Sequence, residues 1–127
     1  MSMTTGQQQL IDHVVTMSDR PNIALPNGPG ADLPRYVVQV AGGRKRTFDL
    51  SGAVEKFPEI VIRVETEDGD LATENDPLVA ALEARFSLGS RFDDITILED
   101  PDVRPPLRGG GVYAVPVIIR GRFFPTN

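Results

Sequence analysis

Hydrophobic and polar positions follow two different periods along this chain. Leu10, Val14 and Met17 recur at helical spacing, with Ile11 and Val15 beside them, which predicts a helix over 5–18. The polar residues 1–9 are expected to be a flexible lead-in. Asp19-Arg20-Pro21 ends the helix, because a residue before proline is pushed out of the α region. Residues 21–34 hold four Pro and two Gly, which excludes a helix or a central strand. Ile23, Ala24 and Leu25 make the segment too apolar for a solvated linker, so it reads as an extended arm lying on a surface.

From residue 35 the period becomes two. Arg35–Val40 puts Tyr36, Val38 and Val40 on one face, Ala41-Gly42-Gly43 reads as a turn, and Lys45–Leu50 alternates with Phe48 and Leu50 inward. Together these predict a hairpin. Ile60–Glu65 is the clearest alternation, with Ile60, Ile62 and Val64 inward. A second helix is predicted over 76–88: Asn75 or Asp76 as N-cap, Pro77 in the first turn, Gly89 after the last. Leu78, Leu82 and Phe86 form its apolar stripe. A short strand follows at Asp94–Leu98, then a Pro- and Gly-rich loop over 100–111, then a final strand over Val112–Phe123. Pro116 inside that strand has no N–H to give a ladder, so it predicts an edge or a bulge there.

Strands outnumber helices and run in an antiparallel order. The pattern predicts one α+β domain over 1–127: a single, mainly antiparallel sheet with two helices packed on one face and long ordered loops. Its expected core is Phe48, Ile60, Ile62, Val64, Leu82, Phe86, Ile97, Val115 and Val117.

Composition narrows the function more than the fold. The 127 residues include no Cys and one His, His13, which excludes disulfides and thiolate chemistry and leaves little for a His-based metal site or catalytic network. The expectation is a non-enzyme with no cofactor and no metal. No stretch approaches the ~20 apolar residues of a membrane helix, and the N-terminus lacks an apolar signal region. The net charge of −5 argues against a dedicated nucleic-acid binder. The acidic run from Glu65 to Asp76 lacks the spacing of a calcium loop and reads as a solvated turn before a helix. Asp93, Asp94, Glu99, Asp100 and Asp102 have no complementary His or Lys nearby in sequence. Arg44, Lys45 and Arg46 beside Gly42-Gly43 form a local positive patch, read as a solvated tip, a contact for an acidic surface, or a wall near DNA. Eleven Arg against two Lys fit either a high-GC genome or use at interfaces.

The Pro26-Asn27 loop with Pro34, the aromatic-containing strand at Arg35–Val40, the apolar strand running from Ile60 to the Gly69 turn, the helix ending in Phe86 before Gly89, and the apolar final strand together resemble the tail-terminator-like proteins of long-tailed bacteriophages and prophage-derived elements. That group includes minor tail protein U. The similarity spans about residues 10–123, with Tyr36 standing where a bulkier aromatic is the family's pattern. The resemblance implies a structural virion protein: a ring, typically a hexamer, that caps the tail tube, ends its polymerisation and presents a surface to head-completion proteins. It implies no catalytic residues, DNA only passing through the lumen, and a place at the head-proximal end of the tail after assembly in the host cytoplasm.

Two rivals stand beside it. One is another neck or tail component, such as a head-closure protein or a tail-tube subunit; strands of about six residues argue against the long hairpins of a tube subunit. The other is a small hydrolase or nucleotide-binding enzyme. On the ring reading, subunit contacts are expected from the 21–34 arm, the 100–111 loop and the C-terminal tail, through Ile23, Leu25, Leu33, Val103, Leu107, Phe123 and Phe124, with Arg44, Lys45 and Arg46 facing a neighbour or the lumen.

Overall fold

The computed structural model describes residues 4–41, 44–47 and 54–124, with backbone alone at 44–47, 54–55 and 70–72. Ten strands are seen among them: β1 (Asn22–Ala24), β2 (Arg35–Val40), β3 (Arg44–Thr47), β4 (Val54–Phe57), β5 (Glu59–Glu67), β6 (Arg91–Phe92), β7 (Ile95–Ile97), β8 (Asp102–Val103), β9 (Leu107–Gly109) and β10 (Val112–Phe123). The helices are α1 (Thr5–Val15) and α2 (Leu71–Arg85).

The twelve-residue β10 is the spine of the sheet. On one side it pairs with β5 from Val112↔Glu67 to Arg120↔Glu59, and the same register continues to Phe123↔Lys56 on β4. Its other side is shared by β9, β8 and β7 in turn. Beyond β5 lie β2 and then β1, the last joined to β2 in parallel while every other described pairing is antiparallel. The α+β architecture is as expected.

Directly opposed residues share a face of a sheet. Tyr36, Val64 and Val115 form one cross-strand row, Val38, Ile62 and Val117 the next, and Val40, Ile60 and Ile119 a third. Ile97 and Ile95 extend this face opposite Gly121 and Phe123. Leu10, Ile11 and Val14 of α1 and Val79 and Leu82 of α2, with Phe86 just beyond it, pack onto it in one core. Eight of the nine expected core residues are buried there; Phe48 lies outside the described residues. The Tyr36 hydroxyl is buried beneath α2 and donates to the Leu78 carbonyl at 2.7 Å. Its burial there raises the phenol's pKa above the ordinary range, with Asp19 adding to the shift.

Several local expectations are corrected. Arg35–Val40 does not pair with the strand that follows it. β2 pairs with β5, and β3 pairs with β4, both antiparallel. The reason is the side-chain match. A tight turn at 41–43 would set Val38 and Val40 opposite Arg46 and Arg44, whereas β5 offers Ile62 and Ile60. Two strands exceed the expected six residues, nine in β5 and twelve in β10, while the other described strands have six or fewer. The segment 21–34 carries the short edge strand β1, in keeping with an extended arm that excludes a helix or a central strand.

Residues 4–9 are ordered as well. Thr4 caps α1 through a capping box, accepting from the Gln7 N–H at 3.2 Å while the Gln7 side chain accepts from the Thr4 N–H at 3.1 Å. The helix stops at Val15, and Arg20 takes the Val15 carbonyl with its Nε at 2.9 Å.

Helix α2 starts at Leu71, ahead of the expected start at 76, so Asn75 is not a cap and Pro77 lies within the helix. Asn75 is fully buried, and its Nδ2 donates to the Val64 carbonyl at 2.8 Å and to Thr66 Oγ1 at 3.3 Å. This tie to β5 holds the N-terminal half of α2 against the sheet. Pro77 removes one N–H, whose partner would have been the Thr73 carbonyl. Gly89 has φ +88°, as its place beyond the helix requires, and its N–H bonds the Ile97 carbonyl at 2.8 Å.

Pro116 lies in a central strand, and partner exchange resolves its missing N–H. Its carbonyl accepts from the Arg104 N–H at 2.9 Å, which turns its backbone polar groups away from β5. That side is the gap where β9 ends and β8 begins.

Candidate assembly surface

The face of the sheet opposite the helices is built from the other phase of the same strands. It carries Arg35 and Val37 of β2, Val61, Arg63 and Glu65 of β5, and Pro116, Ile118 and Arg120 of β10. Glu65 stands in one row with Arg35 and Ala114, and it is 1 % exposed. Its carboxylate accepts from Arg35 Nε at 2.7 Å and from Arg63 Nη2. Arg35 also donates to the Ala31 carbonyl at 2.6 Å, tying the arm back to the sheet. Farther along the same face Arg120 bonds Glu59 at 2.7 Å and Glu99 at 3.1 Å, with Asp102 at 3.4 Å. The hydrogen bonds it donates to Glu59 and then Glu99 hold its guanidinium above its ordinary pKa.

The sequence did not single out these two clusters. Their signal was present in the outward phase of β5, where Arg63 and Glu65 alternate with the core residues. Their partners Arg35 and Arg120 come from other strands and become visible only with the pairing.

The expected contact residues are dispersed over the fold. Ile23 lies in β1, half-buried against the core; exposed Leu25 follows that strand, and half-buried Leu33 precedes β2. Val103 and Leu107 lie on β8 and β9 at the opposite edge, both exposed, Leu107 at 59 %. Arg44, Lys45 and Arg46 form β3, in register with Phe57, Lys56 and Glu55. Phe124 is exposed, with the Arg122 guanidinium 5.4 Å from its ring centre. Phe123 is a correction: it faces inward and is buried in the core, where its Cβ would be 3.1 Å from a Cβ added to Gly6. Leu88 and Leu98 are further exposed apolar side chains that the sequence reading passed over.

The acidic residues suspected of metal or acid–base chemistry are dispersed or engaged. Glu65 is held by two arginines, Glu99 and Asp102 by Arg120, and Asp94 accepts from Gln9 at 3.1 Å. Among the described residues no group of three or more His, Asp or Glu side chains converges as metal ligands would. His13 packs as a boundary residue. Its ring stacks on Phe92 at 3.7 Å and meets Phe86 edge-on at 5.2 Å. Burial lowers its pKa, and Arg85 beside it lowers it further.

With this geometry in view, the fold has counterparts among solved structures. The chain superposes on a chain from the virion of a native gene transfer agent particle, with TM-score 0.61 and 12 % identity over 92 % of each chain. A second solved chain, of a protein with no descriptive name, matches with TM-score 0.64 and 15 % identity over 96 % of this chain and 92 % of that one. The fold is thus shared over nearly the full length of both. No protein-family model matches the chain, and no curated protein matches it.

Proposed function

We propose that the chain is a structural subunit of a virion, and that it works as a ring, of six copies, that caps the tail tube and carries the head-completion proteins. The observation that carries this reading is the fold it shares, over 92 % of both chains, with a chain of a gene transfer agent virion. The resemblance to tail-terminator-like proteins supplies the finer role. On this reading the partners are other copies of the chain, the tail-tube protein and a head-completion or neck protein, with DNA only passing through the lumen. The place is the head-proximal end of the tail, reached after assembly in the bacterial cytoplasm. The chain has no catalytic step and no cofactor. The pairing of its sheet-face carboxylates with arginine is in keeping with that, because such groups are already committed as acceptors.

A tail-tube subunit is the second reading, and the nine-residue β5 and twelve-residue β10 favour it, since they exceed the six residues expected of a capping protein's strands.

Deletion of the gene from its phage or prophage, with particles viewed by electron microscopy, separates the readings. The ring-cap reading expects tails of irregular or excess length that carry no heads. Absence of any tube would favour the tube subunit. Normal tails joined to heads would overturn both.

A further inference from the structure

Resting on the ring reading, we propose that the subunits join edge to edge, with β9 of one copy seated beside β1 of the next. The sheet runs β1, β2, β5, β10, β9, and Asn22, Arg35, Glu65, Ala114 and Leu107 stand in one row across it. Asn22 and Leu107 end that row, four strand spacings or ~19 Å apart. Each terminal strand pairs with one described strand only, β1 with β2 and β9 with β10.

The β9 edge is the projecting one. Gly110 and Gly111, with φ of +60° and +80°, form a two-residue turn that makes Gly109 and Val112 a hydrogen-bonded pair. Alternation along the ladder then points the backbone N–H and C=O of Arg108 away from β10. Leu107 is 59 % exposed, and Arg104 and Arg108 are the only charged residues between 103 and 109. Both are exposed and held by single carboxylate contacts, Asp102 at 3.4 Å and Asp68 at 3.5 Å.

The β1 edge is the receiving one. An open hollow of about 540 Å³ lies beside it, lined by Arg20, Asn22, Ile23, Gly30, Ala31 and Asp32. Arg20 is turned onto the carbonyls of Val15 and Pro21, which leaves Asp32 as the exposed charge on the wall. The occupant is therefore the 104–109 segment of a second copy: Leu107 beside Asn22, with which it shares a face of the sheet, and an arginine toward Asp32. The two edges differ, so the contact is heterologous, and it propagates around a ring until closure.

A chain without cysteine makes the test clean. Asn22→Cys and Leu107→Cys are made as separate variants, mixed, oxidised, and run without reductant, while native mass spectrometry reads the assembly state. Within one copy the sites are too far apart for a disulfide, which needs Cα atoms ~4.4–6.8 Å apart. A cross-linked dimer in the mixture but not in either variant alone, and a ladder ending at the ring size in the double variant, are expected. Oligomers without the mixed cross-link would overturn the edge contact and leave the ring. Absence of oligomers from the wild-type chain, both free and on purified tails, would overturn the ring reading as well.

Discussion

Asn75→Asp separates two roles that one residue can play. As an N-cap, Asn and Asp are nearly equivalent, so the exchange would change stability by a few tenths of a kcal/mol. In the fold described here Asn75 is fully buried and donates to Val64 O and Thr66 Oγ1 through the amide nitrogen that Asp lacks. Its own Oδ1 is buried and accepts no hydrogen bond, so the site supplies no donor to welcome a carboxylate. A buried aspartate there must protonate. Holding neutral at pH 7 a carboxyl of ordinary pKa ~3.9 costs ~1.4 kcal/mol per pH unit, a ceiling of ~4 kcal/mol. The expected loss is ~3–4 kcal/mol, or ~10–20 °C in midpoint for a domain of this size. The sign of the pH dependence is also fixed. The folded pKa is raised, so the penalty relative to wild type shrinks as pH falls, to ~1.5 kcal/mol at pH 5, where the protonated acid donates to Val64 O. Urea unfolding of both proteins at pH 7 and pH 5 measures it. A variant within 0.5 kcal/mol of wild type at pH 7 would refute the buried tie.

Two further expectations follow the same logic. Leu82→Ala removes a fully buried side chain from the helix–sheet core and should cost ~2–5 kcal/mol by denaturant unfolding; a loss below 0.5 kcal/mol would mean α2 turns another face to the sheet. His13, with its pKa lowered by burial and by Arg85, contributes stability that is fully present above pH ~6.5 and is lost as pH falls through its lowered folded value, so the wild type should gain acid sensitivity there that His13→Gln lacks; parallel stability curves for the two proteins between pH 7 and 5 would sink this.

The strand phases were legible because each is set by local alternation. Tyr36, Val38, Ile60, Ile62, Val64, Val115 and Val117 all face the core, and each is assigned within its own segment. Strand partners were not, because pairing is non-local: the turn suggested by Gly42-Gly43 competed with the better match of Val38 and Val40 to Ile62 and Ile60, and the longer-range match won. Asn75 was misread for a related reason. Its cap-forming chemistry is a local property, and the Val64 carbonyl that claims it comes from another strand. Exposure misled in one place, at Phe123, whose neighbour Phe124 is exposed while strand alternation sends Phe123 inward.

The arm at 21–34 changes meaning once β1 is seen. Deleting it would have been the direct test of an assembly arm, but β1 is hydrogen-bonded to β2 in register with Arg35, Tyr36 and Val37, and Arg35 is also bound to the Ala31 carbonyl and to Glu65. Removing 21–33 would take away the sheet's terminal strand and loosen the partner of a buried carboxylate, so lost assembly would report misfolding as readily as a lost contact. Point changes on the solvent side of the edge avoid that confusion. Asn22 is exposed, and its one side-chain bond, to the Asp32 carbonyl at 3.0 Å, is made at the surface, where such a bond contributes little. The same holds for Leu107 across the sheet, exposed and outside the core. The two positions that best test the edge contact are thus also those the fold can best spare.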